Sequence, residues 1–126
     1  MSKELKVTMP YIGGVLSVNS YKVRGRSGVA TNATKRVVKL WMSELTEKVK
    51  GFEHGGDLVV TLFGKFTDGR SPDLDNLAKV ILDAIKVGIG LDDRYIKFRA
   101  LGYSVGWERP VLEITLLSSR LVGVDS

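Results

Sequence analysis

The chain has 126 residues, 44% of them hydrophobic and 26% charged, with no cysteine and a formal net charge of +5. That is the length of one ordinary domain, with enough chain to bury a sizeable core, and the balance of a globular protein. No apolar run approaches the ~18 residues of a membrane span, the N-terminus lacks a charged-then-apolar leader pattern, and without cysteine there is neither a disulfide framework nor a thiolate zinc site, so a single domain over residues 1–126 in the cytoplasm, with no membrane partner, is expected.

In chain order, Leu5, Val7 and Met9 alternate with polar neighbours, which predicts a strand over residues 4–9 that Pro10 ends. Residues 11–31 are rich in Gly, Ser and Asn with scattered Lys and Arg, and read as a long loop. Thr31 or Asn32 then offers an N-cap to a helix whose apolar residues Val37, Val38, Trp41, Met42, Leu45 and Val49 recur at helical spacing, with Gly51 as the stop. Residues 57–66 read as a buried strand and residues 67–72 as a turn. A second helix runs from about Asn76 to Val87, ended by Gly88 and Gly90, with Leu77, Val80, Ile81, Ala84 and Ile85 as its buried stripe. Residues 94–105 form a strand with Ile96, Phe98 and Ala100 on one face, and residues 111–118 a last strand after a turn at Gly106 to Pro110; the tail 119–126 is expected to fray. The order β-α-β-α-β-β predicts a two-layer α/β (α+β) domain with a mixed sheet and two helices.

Charge is unevenly placed. Residues 1–50 carry ten Lys/Arg against three Asp/Glu, a balance of +7, and residues 51–126 carry nine against eleven, a balance of −2. No acidic residue lies between Glu4 and Glu44, a stretch that holds Lys6, Lys22, Arg24, Arg26, Lys35, Arg36 and Lys39. Such a block attracts phosphate backbones by counterion release, although a solvated basic face has the same composition. A lone His54 in a Gly-rich turn argues against histidine-based nuclease chemistry, and the Gly-rich residues 13–28 contain no GK[ST], which excludes a P-loop. Trp41 and Trp107 read as core and turn anchors.

The chemistry lies in residues 73–93, DLDNLAKVILDAIKVGIGLDD. Asp73 and Asp75, two apart in an extended segment, put both carboxylates on one face just ahead of a helix. Two close carboxylates repel; a helix N-terminus relieves this somewhat and a divalent cation far more, and oxygen-only ligands favour a hard ion such as Mg²⁺. Asn76, Lys79, Asp83 and Lys86 fall on the helix face away from the core, and Asp92-Asp93 follows the glycines. Taken singly, each feature also has a plain structural reading: Asp75 as an N-cap, Lys79–Asp83 as an i,i+4 pair, Asp92-Asp93 as turn chemistry. An EF-hand fails, since Leu77 occupies the third ligand position. Together the carboxylates and a lysine suit phosphodiester hydrolysis, in which a metal activates water and a cation offsets charge at the phosphate.

The run Asp73-Leu74-Asp75-Asn76-Leu77-Ala78-Lys79, then Asp83, Gly88 and Leu91-Asp92-Asp93 resembles the signature of the RusA family of Holliday-junction resolvases, spacing included. The resemblance implies a RusA-like fold and a Mg²⁺-dependent crossover junction endodeoxyribonuclease of DNA recombination and repair, acting on four-way or other branched DNA as a homodimer. It implies that Asp73, Asp75 and Asp93 are catalytic metal ligands, that Asp92 is a nearby acidic position in the metal set, and that Lys79 is needed for cleavage. Asn19 with Lys22, Arg24 and Arg26 matches the family's DNA-reaching loop, without its expected prolines, and Arg70 stands alone where some relatives carry several arginines. The alternative is a DNA-binding protein of the same fold that does not cleave; a third reading is a metal protein with an acidic pocket unrelated to DNA.

Helix length adds a constraint of its own. A 12-residue helix from Asn76 to Val87 spans about 18 Å, with Asp73 and Asp75 at one end and Asp92 and Asp93 shortly past the other. One metal ion needs its ligands within a few ångströms. A two-fold dimer with antiparallel copies of this helix would join Asp73 and Asp75 of one chain to Asp92 or Asp93 of the other.

Overall fold

The computed structural model describes residues 3–18, 20–24, 30–70 and 72–118, with the side chains of residues 23, 24 and 30–33 outside that description. Its elements in chain order are β1 (Glu4–Pro10), β2 (Lys22–Arg24), β3 (Ala30–Thr34), α1 (Arg36–Val49), β4 (Leu58–Lys65), α2 (Ala78–Ile89), β5 (Ile96–Ser104) and β6 (Val111–Ser118), with short 3₁₀ turns at Gly14–Leu16, Leu74–Leu77 and Asp93–Tyr95.

The sheet follows from residue alternation. In β4 the residues Leu58, Val60 and Leu62 are buried while Val59, Thr61 and Phe63 are half-exposed, and β6 repeats this with Leu112, Ile114 and Leu116 inward. A period of two sends one set of side chains to each face. The strand order is β1-β6-β4-β5, with β6 antiparallel to both its neighbours and β4 parallel to β5, so the sheet is mixed as expected. Both helices cover the same face. Val38, Trp41, Leu45 and Val49 of α1 and Val80, Ile81, Ala84 and Ile85 of α2 join the inward strand residues in one core cluster. The fold is therefore a two-layer α+β domain, and among the described residues no helix is long and apolar enough to cross a membrane.

Four local expectations change. Residues 11–31 are not one long loop: they hold the 3₁₀ turn Gly14–Leu16, whose Leu16 is buried, and the hairpin of β2 with β3. The order thus gains two strands between β1 and α1. Thr31 and Asn32 do not cap a helix, because both lie in β3; α1 starts at Arg36 behind Lys35, with no side-chain cap. ATNAT has only two β-branched residues; the pairing with β2 wins over the capping preference through cross-strand partners. In the α1 stripe Val37 faces outward, 52% exposed, while Val38 is fully buried.

The fourth change concerns glycine. Gly88 lies inside α2, which runs on to Ile89 and closes at Gly90, whose φ of 69° is the left-handed conformation that suits glycine. Gly88 serves packing instead: a Cβ there would lie 2.6 Å from Val49 Cγ2 and 2.8 Å from the Thr46 carbonyl oxygen. The helices approach so closely that Thr46 Oγ1 donates to the Ala84 carbonyl at 2.8 Å. Gly88→Ala should gain helix propensity and still lose stability, by about 1–3 kcal/mol, as overpacking forces α1 and α2 apart. A lowered urea midpoint at unchanged slope is the expected result.

Candidate active site

The acidic turn is built by two buried leucines and one carboxylate. Leu74 and Leu77 sink into the core and fix the 3₁₀ turn Leu74–Leu77 ahead of α2. Asp73 is the capping residue, in extended conformation, and its Oδ1 accepts from the Asp75 backbone N–H at 3.1 Å. Its carbonyl accepts from the Asn76 N–H at 3.0 Å. The capping role considered for Asp75 therefore falls to Asp73, and the pair is presented by a tight turn instead of an extended run. Both carboxylates are exposed. With Asp73 Oδ1 committed to the backbone, Asp73 Oδ2 and the Asp75 oxygens are the acceptors that face outward.

The second acidic pair lies past the far end of α2. Asp92 caps the 3₁₀ turn Asp93–Tyr95, its Oδ1 accepting from the Arg94 N–H at 3.0 Å with the Arg94 side chain 3.5 Å away. Asp93 is engaged differently: the Lys86 ammonium donates to its Oδ1 at 2.9 Å. That hydrogen bond holds the Asp93 carboxyl below the usual carboxylate range, with Lys79 adding a weaker, longer-range pull, and it raises Lys86 in turn.

Topology keeps the two pairs apart. Leu58 pairs with Ile96 and Lys65 with Ser104, so β4 and β5 start at the same end of the sheet. The acidic turn follows the end of β4, and Asp92 and Asp93 precede the start of β5. The 12 residues of α2 span about 18 Å between them. Among the described residues no group of three or more His, Asp or Glu side chains is placed to hold a metal ion. Asp73 and Asp75 thus present two carboxylates whose oxygens are of the kind a hard cation takes.

Between the pairs runs a ladder of charge on the outer face of α2. Lys79 Nζ lies 3.2 Å from Asp83 Oδ1, Lys86 Nζ lies 4.0 Å from the same oxygen, and Lys86 continues to Asp93. The i,i+4 pair expected of Lys79 and Asp83 forms, and it directs the lysine along α2 toward Asp93. Two contacts were not foreseen. The Tyr21 hydroxyl donates to Asp83 Oδ2 at 3.0 Å, and the Val18 N–H donates to the Asn76 carbonyl at 2.8 Å. The spacing of Lys79, Asp83 and Lys86 signals the ladder; nothing local to Tyr21 signals its partner, which is 62 residues away.

Of the residues expected at DNA, Asn19 and Arg26 lie outside the described residues. Arg24 stands in β2, and Lys22, also in β2, places its ammonium 5.1 Å above the Tyr21 ring and 3.4 Å from Thr34 Oγ1. Arg70, 91% exposed, forks onto Asp68 with NH2 2.9 Å from Oδ2, so its charge is partly offset by an aspartate that sequence reasoning left unused. His54 accepts from the Gly56 N–H within its turn, and Trp41 donates to the Pro10 carbonyl from the core. Trp107 anchors its turn through Ser104 Oγ at 2.6 Å. An open groove of about 350 Å³ runs between α1 and α2, lined by residues that include Met42, Thr46, Asp83, Ala84 and Val87.

Burial, followed by the hydrogen bond to and the charge of Asp83, pushes the Tyr21 phenol up to about 12. An unfolded chain ionises this group near its ordinary value of 10.0, so between there and about 12 the unfolded state binds fewer protons and stability falls as pH rises. Tyr21→Phe should flatten that decline, which urea unfolding of both proteins at about pH 9 and about pH 11 measures.

Residues 19–116 match the family model described as Endodeoxyribonuclease RusA. No curated protein matches the chain.

Proposed function

Because the chain belongs to the RusA endodeoxyribonuclease family, and is by that membership a nuclease of the hydrolase class, we propose that it resolves Holliday junctions in DNA recombination and repair by Mg²⁺-dependent hydrolysis of a phosphodiester. The observation that carries this is the exposed pair Asp73 and Asp75 on a rigid turn, inside the matched residues and one helix length from Asp93.

Asp73 and Asp75 of one chain with Asp93, and Asp92 beside it, would hold the ion. When bound, Mg²⁺ supplies a polarised water and charge stabilisation at the phosphate. Lys79 places a further positive charge against the developing charge of the phosphate oxygens. The basic first half of the chain, through Asn19, Lys22, Arg24 and Arg26, and Arg70 from the second half grip the backbone, which makes affinity fall steeply with salt.

A second copy completes the site. The separation of the two acidic pairs supports a two-fold homodimer in which α2 helices run antiparallel, so that each ion is shared between chains. The outer helix surface supports this too: Val87 of α2 is 76% exposed, and Leu40 and Val37 of α1 are 64% and 52% exposed. An exposed Val87 on α2 offers an apolar contact to a second copy of that helix. Two sites related by a two-fold axis also suit a four-way junction, where two strands are cut symmetrically.

Incubation with a synthetic four-way junction and Mg²⁺ should give paired nicks that EDTA abolishes; binding without nicking would instead support the non-cleaving alternative. Asp73→Asn and Asp93→Asn chains, each inactive alone, should recover nicking when mixed. Heterodimers place both lesions in one site and leave the other intact, so about a quarter of the wild-type sites return. No recovery would mean that each chain carries a whole site. Val87→Glu should shift the protein to monomer in analytical ultracentrifugation and lose nicking with it, since a charge in an apolar contact opposes association.

A further inference from the structure

The structure assigns to Asp83 the role of a positioning residue for Lys79, locked by Tyr21 from the N-terminal segment. This rests on the reading of Lys79 as the cation that acts at the phosphate.

Asp83 has both carboxylate oxygens engaged. Oδ2 accepts from the Tyr21 hydroxyl at 3.0 Å, and Oδ1 faces Lys79 Nζ at 3.2 Å and Lys86 Nζ at 4.0 Å. The Tyr21 side of this arrangement is rigid. Its residue is 3% exposed and part of the core cluster, its N–H donates to the Ser17 carbonyl at 3.1 Å, and its carbonyl accepts from the Lys35 N–H at 2.9 Å. A phenol held in this way fixes the plane of the carboxylate it touches. An exposed lysine–aspartate pair ordinarily wanders among rotamers; here the Tyr21 hydroxyl restrains the aspartate, which gives the ammonium a more defined target.

Helix stability does not account for the arrangement. Lys79 occupies the first turn of α2, where the unpaired N–H groups disfavour a cation, and lysine ahead of aspartate is the weaker order for an i,i+4 pair. The lysine stands where a helix gains least from it, and its partner Asp83 is held by a residue 62 positions away. The same N-terminal segment is tied to the acidic turn, through the Val18 N–H and the Asn76 carbonyl at 2.8 Å. Residues 16–18 and 20–21 therefore brace the acidic turn and the lysine against each other.

Tyr21→Phe keeps the buried ring and removes only the hydroxyl. On a four-way junction with Mg²⁺, the variant should bind with affinity within about twofold of wild type and cleave in a single turnover about tenfold more slowly, since a misplaced group costs rate more than binding. Asp83→Asn should lose more. Tyr21→Phe added to Asp83→Asn should cost nothing further, because the hydroxyl acts only through the carboxylate. In lysine side-chain NMR spectra, Lys79 should give a hydrogen-bonded ammonium signal that weakens in Tyr21→Phe and disappears in Asp83→Asn. Effects of the two changes that multiply, equal losses in affinity and rate, or a Lys79 signal unmoved by Asp83→Asn would each overturn the assignment. A wild-type protein that cleaves no junction would overturn the functional reading itself, and the positioning role with it, whereas full cleavage by Tyr21→Phe would overturn the positioning role alone.

Discussion

Two parallel neighbouring strands cannot be joined by a tight turn: the chain must leave one end of the sheet and return to the other. The β4–α2–β5 unit meets this constraint with a helix laid along the strands, and the arrangement of charge follows from it. Every residue just before α2 lies at one end of the sheet and every residue just after it at the other. Asp73 and Asp75 fall in the first group, Asp92 and Asp93 in the second. Burying Val80, Ile81, Ala84 and Ile85 against the strands holds α2 in place, so no small adjustment brings the acidic pairs together.

The ion pairs on α2 matter for geometry more than for stability. Lys79 and Asp93 are about half exposed, and pairs of that kind contribute about 0–1 kcal/mol. The apolar interface between α1, α2 and the sheet holds the molecule together. The ladder decides direction: Lys79 points along the helix toward Asp83, and Lys86 bonds Asp93 directly. Among the described residues Asp93 is paired with a cation of the protein's own, Lys86, and Asp73 and Asp75 form no ion pair, so the two acidic pairs present different chemistry at the surface.

The N-terminal segment contributes to the same region from another layer of the fold. Leu16 and Tyr21 are buried, and the backbone between them reaches the acidic turn. This couples the start of the basic hairpin, where Lys22 lies against the Tyr21 ring, to the helix that carries the lysine. The close approach of α1 and α2 at Gly88 fixes that helix from its other side.

Period-two and period-3.6 patterning decides which residues can be buried wherever the chain packs, so β1, β4, β6, the two helices and the α+β class were legible in the sequence. The aspartates with Lys79 stood out as candidates for a similar reason: their spacing is local. The hairpin β2–β3 was not, because weak pairing residues there compete with loop and capping preferences and only cross-strand partners settle the outcome. Gly88 read as a stop signal because glycine's absent side chain means either a turn or a close contact, and the contact, Val49, lies on another helix. The sequence by itself determined the chemical groups of the candidate site and their order along one helix. Helix length along the chain also set the two acidic pairs at opposite ends of α2. Only the tertiary structure decided that Tyr21 meets Asp83 and that Lys86 takes Asp93: those contacts depend on where a buried ring and the chain after a crossover lie in space, and spacing along the chain does not carry that information.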